Sequence, residues 1–219
     1  MAYQLIYAIL ISYAALFPVL NPLGGSLLFS AITYPLDVHL KRKLARKIAF
    51  NAFFLLTGVL FLGTWVLKLF GIQIPIVQLA GGAVVATRGW MIMNTGTNPK
   101  SGNAQTISTE PAALAASFFP LTLPMTAGPG AITIGITLGA EALAFKTKSL
   151  MLMKYLGFGI GIALSALTVY VTYHYAGYFM KRLGDNGRMV IMKLSSFITL
   201  CIGLSIVWKG VQGLIAFYL

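Results

Sequence analysis

The chain has 219 residues, 58% of them hydrophobic and only 9% charged, with a mean hydropathy of +0.85. A soluble domain carries about 25% charged residues, so this composition excludes a water-soluble fold and points to one integral membrane domain over residues 1–219. The formal net charge of +12 comes from bases set in short segments between apolar runs, above all Lys41 to Lys47; this favours cytoplasmic loops and anionic lipid headgroups over nucleic acid as a partner.

Six membrane segments are expected, over about 3–34, 48–70, 74–94, 111–140, 150–173 and 190–217. The first lacks the basic start of a signal peptide, and its apolar run is too long for one, so it is expected to be a retained helix. No charged side chain occurs before Asp37. About 30 helical residues would span about 45 Å, against a hydrocarbon core of about 30 Å. Within this run stands "FPVLNPLGGS", Phe17 to Ser26, whose breakers predict an interrupted helix. The plain alternative is a proline kink, since Pro and Gly are frequent in membrane helices. Asp37 then precedes a basic helix and reads as its N-cap.

The second segment is uncharged from Ile48 to Leu67 and long enough to cross once. The third carries Arg88 near one end, where it is expected to snorkel to the headgroups; Lys209 in the sixth is read the same way. "GGAVVATRG", Gly81 to Gly89, suits a close helix contact of the small-residue kind, most simply inside the protein. The fourth segment repeats the anomaly of the first: no charge lies between Glu110 and Glu141, and "FPLTLP" and "GPG" interrupt it. Glu110 is expected to start a helix, Glu141 and Asp185 to be loop charges, and His39 and His174 to be interfacial. Cys201, the lone cysteine, is read as a small packing residue.

Counting bases by side fixes an expected topology. Lys41, Arg42, Lys43, Arg46, Lys47, Lys100, Lys181, Arg182 and Arg188 fall on one side, and Lys68, Lys146, Lys148 and Lys209 on the other. The excess places the first set in the cytoplasm and both termini outside.

Phe17 to Pro22 and Phe119 to Pro124 both read F-P-x-x-x-P, 102 positions apart, and glycines follow each. The same offset carries Ile48 onto Leu150. Each half, about 1–100 and about 108–219, holds three crossings. An odd number makes the second copy enter from the opposite face, so the expected fold is all-α: six segments as two inverted-topology three-helix repeats with the first and fourth broken. Irregular backbone at that depth is tolerated only against protein or a wet cavity, which predicts a polar pocket where the breaks meet.

With these residues in view, "NPLGG", "FGIQIPIVQLAGG", "PLTLPMTAGPGAIT" and "RLGDNGR" resemble the MarC family of inner-membrane proteins over nearly the whole chain. The strongest match is P-x-x-x-P-x-x-x-G-P-G, Pro120 to Gly130. The chain departs from the family pattern at Gly25, at Lys193 and Ser196, and at "YPLDVHLKRK". The resemblance implies six helices, inverted repeats and, from family members that carry glycine or alanine, transport of a small neutral amino acid across the inner membrane without a cofactor.

Such a zwitterion needs donors for its carboxylate and acceptors for its ammonium. Half-helix N-termini supply the first and freed carbonyls the second. The expected substrate site is therefore Asn21, Pro22, Gly24 and Gly25 from the first break, and Thr122, Pro124, Thr126, Gly128 and Gly130 from the second, with Ser26 beside them. Asn21 also suits a local cap, and Ser26 and Thr126 suit bonds to their own helices. Asp37 and Glu110 are the candidates for proton coupling; a proton, a sodium ion and uncoupled passage all stay open. A non-transporting scaffold and a passive channel or exporter are the competing functions. An enzyme is not expected, since no paired acids, metal spacing or nucleophile–base pair lies at depth.

Overall fold

The computed structural model describes residues 2–94, 107, 109–145 and 147–218. Lys100 and Lys146, counted above in the charge balance, lie outside them. Among the described residues the chain is helical throughout: α1 (Ala2–Leu20), α2 (Pro22–Ile32), α3 (Val38–Leu69), α4 (Ile74–Asn94), α5 (Glu110–Ala116), a π-helical turn (Leu121–Thr126), α6 (Pro129–Leu143), α7 (Lys148–His174) and α8 (Ala176–Tyr218).

Five apolar helical stretches are long enough to cross a membrane: Tyr3–Ile32, Val38–Leu69, Ile74–Asn94, Lys148–His174 and Asn186–Phe217. The fourth expected segment differs. Its longest piece, α6, has 15 residues, about 22 Å of helix, which is short of a bilayer core. The breakers divide that segment, so it holds a short apolar helix in place of a full-length one.

Local chemistry sets the boundaries. Asp37 Oδ1 accepts from Leu40 N at 2.7 Å, so α3 starts at Val38 and the basic run Lys41 to Lys47 is its first turns. The helix therefore begins well before the membrane segment expected at about 48. Pro22 sits at the first turn of α2, where its missing N–H costs nothing. Pro18, by contrast, lies inside α1 without ending it. Gly184 takes φ 59° and ψ 179° and interrupts α8 near its start, a backbone conformation glycine adopts without a Cβ clash.

Small residues let the helices approach closely. A Cβ on Gly82 would stand 2.7 Å from Val207 N, and one on Gly89 would stand 2.6 Å from Leu200 N. A Cβ on Gly210 would meet Pro75 O at 2.8 Å. The stripe Gly81 to Gly89 is thus internal packing, α4 running against α8. α1 meets α7 in the same manner, with Gly157 against Ala8 and Gly161 against Ser12, and α3 meets α6 at Gly63 and Gly139. Leu44, Ile48, Leu56, Leu60, Phe158, Ile162 and Val169 fill the core between these layers. Phe50, Phe54, Trp65, Leu167 and Trp208 face outward, as lipid-facing surface should. Cys201 is exposed on α8, outside the packed interior where it was expected, because its neighbour Ile202 takes the inner face and the next residue, Gly203, carries the backbone contact with Ala86.

Glu141 is another correction. It is not a loop charge but lies in the last turn of α6, 2.8 Å from Lys154 Nζ on α7. Lys154 is buried, at 4% exposure, and its ammonium lies 5.0 Å from the Tyr7 ring centroid and 5.2 Å from that of Phe145. A buried ammonium persists only with such partners.

Candidate functional site at the two helix breaks

The first break is a single residue. Asn21 has φ 46° and ψ 58°, the left-handed region that Asn tolerates better than most residues. Its Oδ1 accepts from Gly24 N at 3.1 Å. The local cap is therefore the role Asn21 takes, and Gly24 N is not a free donor as expected. A Cβ on Gly24 would lie 2.7 Å from Asn21 Nδ2, so glycine is what lets the cap fold over the turn. Ser26 Oγ donates to Leu23 O at 2.7 Å, a bond within its own helix.

The second break is longer. From Phe118 to Ala127 the backbone bonds skip to the fifth residue, as in Leu123 N to Phe118 O at 2.8 Å and Ala127 N to Thr122 O at 2.8 Å. Leu123 itself is extended, at φ −115° and ψ 122°. Thr122 is buried, and its hydroxyl turns back to Ser117 O at 2.7 Å, so it is not presented to a pocket. Gly128 precedes α6 with no side chain capping the helix, and Pro129 follows at its first turn.

Each break frees a carbonyl, and a distant side chain takes it. Pro22 has no N–H to give Pro18 O four residues earlier; Thr199 Oγ1 of α8 shares its one proton between that oxygen, at 3.1 Å, and Ser195 O of its own helix, at 2.8 Å. Pro129 has none to give Met125 O; Arg88 Nη2 of α4 donates there, and Arg88 Nη1 donates to Pro124 O at 3.3 Å. Arg88 therefore does not snorkel to the headgroups. The guanidinium stays half-buried, so it can satisfy both carbonyls without losing all of its hydration.

The breaks meet at Tyr173 of α7. Its Oη lies 3.0 Å from Thr126 Oγ1. Thr126 already gives its one proton to Leu121 O at 2.7 Å, so Tyr173 is the donor to Thr126. A Cβ on Gly25 would stand 2.6 Å from the same Oη. Tyr173 is 1% exposed and stacks on Phe29 with ring centroids 4.9 Å apart. Gly25 and Thr126, predicted from separate halves of the chain, thus flank one buried phenol.

Beside this joint is a shallow recess with internal room of about 20 Å³, little more than one water molecule needs, lined by Val19, Val84, Val85, Arg88, Gly128, Pro129, Gly130, Ala131 and Thr199. Of the predicted site residues, Gly128 and Gly130 line it. Asn21, Pro22, Gly24, Gly25 and Thr126 lie in the adjoining break structure, and the ring of Pro124 is exposed while its carbonyl holds Arg88. A larger groove between α3 and α7 is apolar apart from Arg46 and Tyr170 and touches neither break. Asp37 and Glu110 are not in the recess: Asp37 caps α3, and Glu110 pairs with Lys43 at 3.0 Å on exposed surface. Sequence reasoning missed Tyr173, Thr199 and the inward turn of Arg88. Arg88 alone left a signal, a full charge more than a turn inside the end of an apolar segment.

The family profile described as MarC family integral membrane protein matches residues 6–215. The UPF0056 membrane protein YvbG of Bacillus subtilis (strain 168) is 27% identical, over 92% of this chain and 93% of its own. The UPF0056 membrane protein YhcE of Escherichia coli (strain K12) is 27% identical, over 92% and 91%. The UPF0056 inner membrane protein MarC of Escherichia coli O139:H28 (strain E24377A / ETEC) is 27% identical, over 98% and 99%. No solved structure matches the chain.

Proposed function

The chain belongs to the MarC family of multi-pass integral membrane proteins, and from that premise we propose that it is a secondary transporter of small neutral amino acids, glycine or alanine in size, in the cytoplasmic (inner) membrane. It works by alternating access, one three-segment repeat rocking against the other, with both termini on the external side. The observation that carries this is the joint at Tyr173, where residues of both interrupted segments converge beside a recess holding freed backbone. Lipid could not satisfy that backbone; Arg88 and Thr199, which line the recess, do so instead, and such polar groups at depth are what a solute path needs.

The pairing of elements supports the inverted repeat. The first segment packs on the fifth, the fourth on the second, and the third on the sixth. Exchanging the halves leaves this pairing unchanged. The patching of the breaks follows the same exchange: the sixth segment gives Thr199 to the first, and the third gives Arg88 to the fourth. Gly128 and Gly130, with Asn21, Pro22, Gly24, Gly25 and Thr126 in the adjoining breaks, are the residues around which the substrate passes.

The test is uptake of glycine and alanine by purified protein in liposomes. Saturable uptake with counterflow is expected; linear uptake without counterflow would mean a channel, and no uptake with no ligand-dependent thermal shift would mean a non-transporting protein. Gly128→Leu puts a side chain against Pro124 O, where a Cβ would lie at 2.8 Å, and should abolish uptake. Imposed proton and sodium gradients identify the coupling ion, and Asp37→Asn and Glu110→Gln test the proton route.

A further inference from the structure

Arg88 is a full positive charge inside the apolar segment Ile74–Asn94. Among the described residues it meets only neutral acceptors, Pro124 O and Met125 O. The ion pairs Lys43–Glu110 and Lys154–Glu141 do not involve it. A guanidinium has five N–H donors, and two carbonyls leave its charge uncompensated. At a half-buried position such a charge attracts an anion more strongly than it would in open solvent. The guanidinium also borders the recess, and the bordering wall has no side chain in front of it. A Cβ at Gly128 would stand 3.6 Å from Nη1, so any larger residue there would cover the cation.

We propose that Arg88 recognises the carboxylate of the transported molecule, which makes the ligand class a small monocarboxylate; this deepens the transporter reading and rests on it. The planar fork can hold a carboxylate through two parallel bonds. Val19, Val84 and Val85 wall the recess beside the hydroxyl of Thr199, and Arg88 is the one cation among its lining residues, so a second carboxylate would have no second cation to meet. The geometry also links occupancy to conformation. A carboxylate that engages the fork competes with Met125 O and Pro124 O for it. Substrate arrival therefore loosens the patch on the fourth-segment break, and the break's state in turn sets affinity for substrate, as linkage requires.

The experiment is binding to the purified full-length protein in detergent, read by calorimetry, with glycine, glycinamide, propionate and propionamide as probes. At least one acid should bind about tenfold or more tightly than its amide. Arg88→Gln should erase that difference, and Arg88→Lys, which keeps the charge but not the fork, should retain part of it. Because Arg88→Gln also strips the break of its patch and can fail to fold, phenylglyoxal labelling of the wild-type protein supplies a second readout. The acid that binds should slow modification at Arg88, read by peptide mass spectrometry. Acids and amides binding alike, no acid binding at all, or no protection of Arg88 would each overturn the proposal. Propionate binding while glycine does not would leave Arg88 as the carboxylate group and remove the amino-acid reading.

Discussion

Tyr173 Oη and Thr126 Oγ1 lie 3.0 Å apart, joining the fifth segment to the interrupted fourth in the protein interior. The same phenol meets the space above Gly25 in the interrupted first segment. One oxygen thus ties the two breaks, and its removal has a defined consequence.

Tyr173→Phe keeps the stack on Phe29 and deletes that bond. The expected cost is about 1 kcal/mol of stability, read as a lower thermal midpoint in detergent. Gly25→Ala places its Cβ 2.6 Å from Oη and should cost about 1–3 kcal/mol. In the Tyr173→Phe background the nearest remaining atom is Cζ, at 3.3 Å. The alanine should then cost much less, a coupling of at least about 0.5 kcal/mol in the double-mutant cycle. Additive losses would mean that Gly25 and Tyr173 do not share this contact in solution.

Asn21 combines a left-handed backbone with a side-chain cap. Asn21→Gly keeps the backbone and loses only the cap, for a few tenths of a kcal/mol. Asn21→Ala loses the cap and adds the steric cost of that conformation, about 2 kcal/mol or more together. Thermal midpoints should therefore fall in the order wild type, Asn21→Gly, Asn21→Ala; the reverse order of the two variants would rule out the left-handed turn.

Gly89→Leu tests the contact of α4 with α8. Its Cβ would meet Leu200 N at 2.6 Å and Ser196 O at 2.8 Å, both backbone atoms that cannot turn aside. The variant should not yield a monodisperse folded protein on size-exclusion chromatography. Gly58→Leu, where a Cβ meets nothing within 4 Å, should elute as wild type does.

Lys154 and Glu141 form an unequal pair: the lysine side chain is 5% exposed and the glutamate side chain 39%. Lys154→Met leaves a half-exposed carboxylate that water can reach, and a well-packed apolar side chain in its place. Glu141→Gln leaves a buried ammonium without its counter-charge. The second should be the more destabilising, by about 1–2 kcal/mol after allowing for screening at the glutamate, measured by thermal or denaturant unfolding in detergent. Equal losses would mean that the lysine reaches solvent.

Much of this molecule was legible in the order of its residues. Apolar runs bounded by bases located the membrane segments, and α4 matches the stretch 74–94 that its hydropathy outlined. Asp37 as a cap and Asn21 as a local cap follow from contacts within four residues, where chain geometry alone constrains the outcome. Breaks in the first and fourth segments were readable for the same reason. What lay beyond the sequence was the partner of each freed group. Pro18 O reaches Thr199 across 181 positions, and Thr126 reaches Tyr173 across 47. Arg88 and Glu141 sit near segment ends, where either a headgroup or an interior partner would satisfy the charge. Only the packing of α4 on the fourth segment and of α7 on α6 decides between them, because a charge in an apolar medium goes to the nearest group able to compensate it, and nearness is set by the fold.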